Sequence, residues 1–215
     1  MGNKHRHPEV VEFEKKRIAL ITAEYIQKHG FESLSIRKLA KVLHVSPTTV
    51  YNYFSSVDEL YFYTLRIGFD SLYDSLLYVF EKQSDPFTRL QKMNEAVFDF
   101  GKSQSHFIDL MFILELPKYM DYLDAGKQDA AILAYQEMKS AILIRDLYKD
   151  AVLDICGKNS SLDKGKVTFY VARIFSDLIG LVTVYNSRAL VYIGGKVDKH
   201  AGYILDTIGN FLKYS

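Results

Sequence analysis

Apolar residues recur at three- to four-residue steps over most of this chain, and little interrupts them. Its 215 residues hold only four Pro and twelve Gly. Few breakers and long apolar-periodic stretches predict an all-α protein rather than a sheet protein. Hydrophobic residues make up 48%, including 16 Tyr and 14 Phe, enough to bury a substantial core and to argue against disorder. The length suits one large domain, or a small head on a larger body.

The breakers that are present place the helices. Pro8 precedes a stretch from about Glu9 to His29 in which Val10, Phe13, Ile18, Ile21, Tyr25 and Ile26 trace an apolar face, and Gly30 supplies a left-handed stop. Ser35 is a good N-cap for a short helix, Ile36 to Leu43. After a tight turn at His44-Val45-Ser46, Ser46 caps a second short helix that ends near Phe54, with Pro47 in its first turn. Asp58 and Glu59 open a long helix to about Lys82. Further helices are expected from Pro86 to about Lys102, Phe107 to Leu116, Ala125 to Cys156, Asp163 to about Tyr192, and Lys196 to Tyr214.

Charge is distributed unevenly. The chain has a net charge of +1, yet Met1 to Val57 carries nine Lys/Arg against five Asp/Glu, leaving −3 for the remainder. A basic head on a mildly acidic body suits a protein that touches phosphates with one end. A single cysteine, Cys156, excludes an internal disulfide framework and suits a reducing cytoplasm. Its expected role is that of a small buried hydrophobe, not a redox sensor. The N-terminus has no apolar run behind its basic residues, so it does not read as a secretory signal. Arg6 stands where a myristoylation motif wants Ser or Thr. The most apolar run, Leu178 to Ser187, is about half of the roughly 20 residues needed to cross a bilayer, so a soluble chain is expected.

The segment richest in meaning runs from Ser33 to Phe54. It reads as two short amphipathic helices across a tight turn, with Leu39, Ala40, Val45, Val50 and Phe54 inward and Ala40 small where the helices approach. Outward on the second helix are Pro47, Thr48, Thr49, Tyr51, Asn52 and Tyr53. A short helix with no outward charge, rich in hydroxyls and an amide, can hydrogen-bond phosphates and base edges and offer methyls to thymine. Such a helix is expected to read the major groove.

The same positions resemble the N-terminal helix-turn-helix domain of the TetR family of bacterial transcription regulators. The matching residues are Ser35, Leu39-Ala40, Val45-Ser46, Thr49-Val50-Tyr51, Tyr53-Phe54 and Asp58-Glu59-Leu60, with Gly30-Phe31 closing the first helix. They lie within the first 60 residues. Three positions depart from the pattern: His44 replaces the usual turn Gly, Leu43 replaces a small residue, and Val57 replaces a Lys that often contacts phosphate. The resemblance implies a homodimeric regulator, a repressor in the first reading. Its head would be residues 1–56, preceded by a basic arm at 1–8, and its effector-binding and dimerisation body residues 57–215. It implies DNA contacts from Ser35, Arg37, Ser46, Pro47, Thr48, Thr49, Tyr51, Asn52 and Tyr53, with Thr48, Thr49 and Asn52 on bases and both tyrosines on phosphates. A regulator of the same fold that activates or senses no small molecule is one alternative, and a helical interaction module without DNA binding is another.

For the body, the stretch from Asp163 to Tyr192 is apolar on nearly all sides and needs a second surface to cover it. The resemblance implies that the last two long helices pair with their copies in a four-helix bundle, with Phe175, Ile179, Val182, Ile204, Ile208 and Phe211 as interface candidates. It also implies a small apolar or aromatic effector, whose binding opposes operator binding. Phe107, Phe112, Tyr119, Tyr170, Arg173 and Asp177 are the candidate lining, although any one aromatic of the middle helices is first a core residue. Arg173 and Asp177, four apart, suit either a buried ion pair or polar groups of a pocket. His5-Arg6-His7 reads as a solvated arm before a metal site, and Lys4 and Arg6 could reach a minor groove. No nucleophile–base pair, Gly-rich phosphate loop or HExxH pattern appears, so neither an enzyme nor a cofactor is expected.

Overall fold

The computed structural model describes residues 7–115, 119–126, 128, 132, 135, 138–157, 164–194 and 197–214. Among them every regular element is helical: α1 (Pro8–His29), α2 (Ile36–Val42), α3 (Pro47–Tyr51), α4 (Val57–Lys82), α5 (Pro86–Ser103), α6 (Ser105–Ile108), a π-helical turn (Asp109–Ile113), α7 (Tyr119–Asp124), α8 (Lys139–Cys156), α9 (Lys164–Asn186), α10 (Leu190–Gly194) and α11 (Val197–Thr207), with 3-10 turns at Phe31–Ser33 and Asn210–Tyr214. The sequence places for Lys4, Arg6, Leu116, Pro117 and the loop at 158–161, and much of the expected helix after Ala125, lie outside the described residues.

The chain forms two compact units. The first comprises residues 1–69 and 109–139. Its core joins Ile18 and Ala19 of α1, Ile36, Leu39 and Ala40 of α2, Val50 of α3, and Leu60 and Tyr63 of α4, together with Leu43 and Phe54. The π-helical turn and α7 belong to this unit. Gln27 donates to Asp109 at 2.6 Å, and the Tyr122 hydroxyl donates to Asp58 at 2.9 Å beside Phe62. Burial and that carboxylate push the Tyr122 phenol up from its ordinary value.

The apolar face of α1 differs from the expected one. Ile18, Ala19, Thr22, Ala23 and Ile26 are buried, whereas Val10 and Phe13 are exposed, Phe13 to 66%. At the C-terminus of α1 Gly30 has φ 79 and ψ 154: φ is positive as expected, but the extended ψ lies outside the left-handed helical well.

The second unit comprises residues 70–108 and 140–215. Its helices α5, α8, α9 and α11 pack around Leu90, Met93, Val97, Ile144, Tyr148, Val152, Ile174, Leu178 and Leu205. Asp85 caps α5 by accepting from the Thr88 amide at 2.8 Å. Within this core the Tyr148 hydroxyl donates to Asn94 at 3.3 Å, and the Asn94 amide donates to the Ile208 carbonyl at 3.4 Å. Arg89 pairs with Asp154 at 2.5 Å while stacking on Phe80.

Two expected helices are shorter here. The helix from Asp163 breaks after Asn186, where Arg188 takes φ 59 before α10 starts. The last helix ends at Thr207, and Gly209 at φ 90 turns the chain into a 3-10 turn. The length argument against a membrane span is also corrected. Gly165–Asn186 lies in a single helix, and an 18-residue window within its 22 residues has mean hydropathy 1.6, long and apolar enough to cross a bilayer. A core helix passes the same test, and α9 packs as one along Val167, Val171, Ile174, Leu178 and Val182. Its other face is less apolar than expected, since Arg173, Ser176, Asp177, Gly180 and Thr183 are all exposed.

Candidate nucleic-acid interface

Local chemistry fixes the helix pair. Ser35 is extended, and its hydroxyl accepts from the Lys38 amide at 3.3 Å, starting α2. The helix ends in a Schellman arrangement: the His44 amide donates to the Lys41 carbonyl at 3.2 Å and the Val45 amide to the Ala40 carbonyl at 3.0 Å. That motif demands a left-handed residue, and His44 supplies it at φ 55. The turn therefore keeps its geometry without glycine, and Val45 tucks against the core.

At the start of α3 the Ser46 hydroxyl accepts from the Thr49 amide at 3.1 Å and pairs with the Thr49 hydroxyl at 2.9 Å, with Pro47 in the first turn. Val50 is fully buried and Phe54 nearly so, which locks α3 across α2. What remains at the surface is Pro47, Thr48, Tyr51 and Asn52, with Tyr51 54% exposed. Tyr51 thus faces out and is not packed on the head. Thr49 is half-buried. Tyr53 lies beyond the end of α3, half-buried against the head core, which corrects the fully outward place expected for it. On α2, Arg37 is exposed and Ser35 half-buried.

Lys38 and Lys41 are also exposed on α2, though Lys38 donates to the Ser33 carbonyl at 2.9 Å. The sequence reading passed over both, although the spacing of Arg37, Lys38 and Lys41 signals a basic helix edge. Val57 packs half-buried against the head core. The start of α4 is held reciprocally. Ser56 accepts from the Glu59 amide at 3.0 Å, and the Glu59 carboxylate accepts from both the Ser55 amide and hydroxyl at 2.7 Å. Partial burial alone would raise the Glu59 carboxyl. The hydrogen bonds from Ser55 and the charge of Lys15, 3.7 Å away, outweigh it and hold the group below its ordinary value.

The six effector candidates are divided between the two units. Phe112 lies in the first unit, edge-on to Phe69 at 5.8 Å, and the side chain of Tyr119 lies outside the described residues. In the second unit Phe107 is buried against Phe100 and Tyr170 is buried against Phe211. Arg173 and Asp177 are exposed, so the buried ion pair is not formed; they line a groove shared with Ile204, Ile208 and Phe211. Of the interface candidates, Val182 is corrected: it is fully buried in its own chain, against Gly101. Phe175 and Ile179 are half-buried, with Phe175 edge-on to Tyr148 at 4.8 Å. Cys156 is half-buried, and its thiol is raised by burial, opposed by Lys166, which suits an unreactive role.

Two capped short helices, crossing over a shared core and presenting the second helix outward, define a helix-turn-helix head on an all-helical chain. Residues 21–64 match the model of the bacterial regulatory proteins of the tetR family. The head is thus similar to the helix-turn-helix domain of that family over those residues. No protein of curated function matches the chain. Among solved structures, the fatty acid degradation regulator FadR from Bacillus halodurans superposes with a TM-score of 0.68 at 15% identity, covering 95% of this chain and 96% of that one. FadR from Bacillus subtilis, in complex with stearoyl-CoA, gives 0.66 at 13% identity, over 90% and 97%. The ketosteroid regulator KstR2 of Mycobacterium tuberculosis gives 0.63 at 15%, over 91% and 94%. The fold of the whole chain is therefore that of these regulators.

Proposed function

We propose that the chain is a cytoplasmic, homodimeric transcriptional repressor that binds a palindromic operator through its head and is released by a small apolar effector. The observation that carries this reading is the outer face of α3: Pro47, Thr48, Tyr51 and Asn52 exposed, uncharged and rigidly presented by Val50 and Phe54 beneath. Thr48 and Asn52 read bases, Tyr51 binds a phosphate, and Arg37, Lys38 and Lys41 add phosphate contacts along α2. Ser35 and Ser46 act through the helix ends they cap, Thr49 through its bonds to Ser46, and Tyr53 gives at most its rim to the backbone.

The functional division falls at Val57, with residues 57–215 sensing the effector and dimerising. The structural neighbours named for fatty acids, ketosteroids and stearoyl-CoA support an apolar effector. We leave Arg173 and Asp177 out of that effector site, because both lie on an open surface groove.

The test is a gel-shift series on a selected operator at fixed salt. Asn52→Ala and Thr48→Ala should each weaken binding by about 1–3 kcal/mol and relax sequence preference. Tyr51→Phe should weaken all sequences alike. Unchanged affinity in all three contradicts the assignment.

A further inference from the structure

α3 is five residues long, too short to hold its own shape, so the angle of its reading face depends on how its two ends are seated. The N-terminal end is held by Ser46 and Thr49. At the other end the Tyr53 and Phe54 amides donate to the Val50 carbonyl at 2.9 and 3.1 Å, and α4 begins at Val57. One side chain of α1 reaches this exit. The Lys15 ammonium lies 5.0 Å from the centre of the Phe54 ring and 5.4 Å from that of Tyr63, and the two rings meet edge-on at 5.3 Å. It also lies 3.7 Å from Oε1 of Glu59, whose Oε2 accepts from the Ser55 amide and hydroxyl.

By sequence Lys15 is one of the nine Lys/Arg that make the head basic. Its placement argues for a different use. The side chain is only 25% exposed, and its charge is already shared between a carboxylate and two aromatic rings. Turning toward a phosphate would leave the half-buried Glu59 without its cation and open the seat above Phe54. A single ion pair at this distance contributes little by itself. What matters is where the restraints meet. Phe54 locks α3 from beneath, and Glu59 holds Ser55 and the first turn of α4. The second ring is fixed too: the Tyr63 hydroxyl donates to Glu12 at 2.8 Å, and the Arg66 guanidinium lies 4.5 Å from its ring centre. Lys15 thus ties α1 to both sides of the segment that leads out of α3.

We propose that Lys15 is a positioning residue for DNA reading: it seats Phe54 and anchors Glu59, so that α3 presents Thr48 and Asn52 at one angle, and it makes no phosphate contact itself. The inference rests on the DNA-binding reading above and separates two kinds of cation in the head. Arg37 and Lys41, exposed on α2, meet phosphate and supply affinity for any duplex. Lys15 aims the helix and supplies sequence preference.

The experiment measures fluorescence anisotropy of the full chain on an operator selected in vitro and on a scrambled duplex, at several salt concentrations. Lys15→Met should weaken operator binding about tenfold, the loss of one well-placed base contact, and leave the scrambled duplex and the salt slope unchanged. Lys15→Arg should keep most of the operator affinity. Lys41→Gln, the phosphate control, should weaken both duplexes and shallow the slope by about one unit per head. Glu59→Gln gives the sharper test, because the two roles predict opposite signs. Loss of the anchor should weaken operator binding severalfold, although it removes a negative charge from a DNA-binding head. A Lys15 released to touch phosphate would instead strengthen binding to both duplexes, and that result overturns the proposal. So does a Lys15→Met that weakens both duplexes alike, or one that lowers the urea midpoint while operator affinity stays at the wild-type level. Circular dichroism checks that each variant is folded, and Glu59→Gln, which keeps an acceptor for Ser55, carries the test should Lys15→Met unfold. A wild type that does not distinguish operator from scrambled duplex overturns the DNA-binding reading itself.

Discussion

His44 shows how a single backbone angle can matter more than residue type. Its φ of 55 is imposed by the two hydrogen bonds that close α2, and a side chain in that region carries a steric cost that glycine lacks. His44→Gly should raise stability by about 0.5–1 kcal/mol, read as a higher urea midpoint, because relieved strain exceeds the added freedom of the unfolded chain. Glu59 makes the complementary case for a hydrogen-bonded carboxylate. Its pKa is lower folded than unfolded, so the unfolded chain binds more protons, and the contribution is complete above the ordinary carboxylate range. It is lost as pH falls through the folded value, which lies below the ordinary carboxylate range. Glu59→Gln should therefore flatten the acid limb of the melting-temperature profile and leave the neutral region nearly parallel.

Among elements, the crossing of α5 and α9 is set by Gly101. A Cβ there would lie 2.6 and 2.8 Å from the two γ-carbons of Val182, a stiff β-branched side chain, and the Asn186 amide donates to the Gly101 carbonyl at 3.0 Å. Gly101→Ala should destabilise by about 1–3 kcal/mol in urea unfolding, and adding Val182→Ala should recover part of the loss, exposing a coupled pair. Nothing in the sequence around Gly101 marked this contact, since the partner lies 81 positions on. By contrast Ser35, Ser46 with Pro47, and the start at Pro86 were readable because capping is chemistry between near neighbours, and Ser56 with Glu59 carried the same kind of signal unread. The α1 face and the α9 break were less readable. Phe13 is apolar yet exposed, and Arg188 turns left-handed with no glycine to announce it. Lys38 and Lys41 were legible and went unused. The effector lining was not legible, since aromatic residues spread through two units look alike whether they fill a core or face a ligand.

For the whole molecule, the proposed function joins a basic helix-turn-helix head to a helical body that pairs with its copy, so that symmetry would do the reading. A head alone offers a five-residue helix and a few cations. In the proposed dimer, two heads would meet two half-sites together, which turns modest contacts into specific binding. The most direct measurement is fluorescence anisotropy of the full chain on a palindrome selected in vitro, against a scrambled duplex, across a range of salt. The account predicts binding at least about a thousandfold tighter to the palindrome at physiological salt, one dimer per site or a multiple, and affinity that falls steeply as salt rises. Equal binding to both duplexes, or retention on neither, would contradict it.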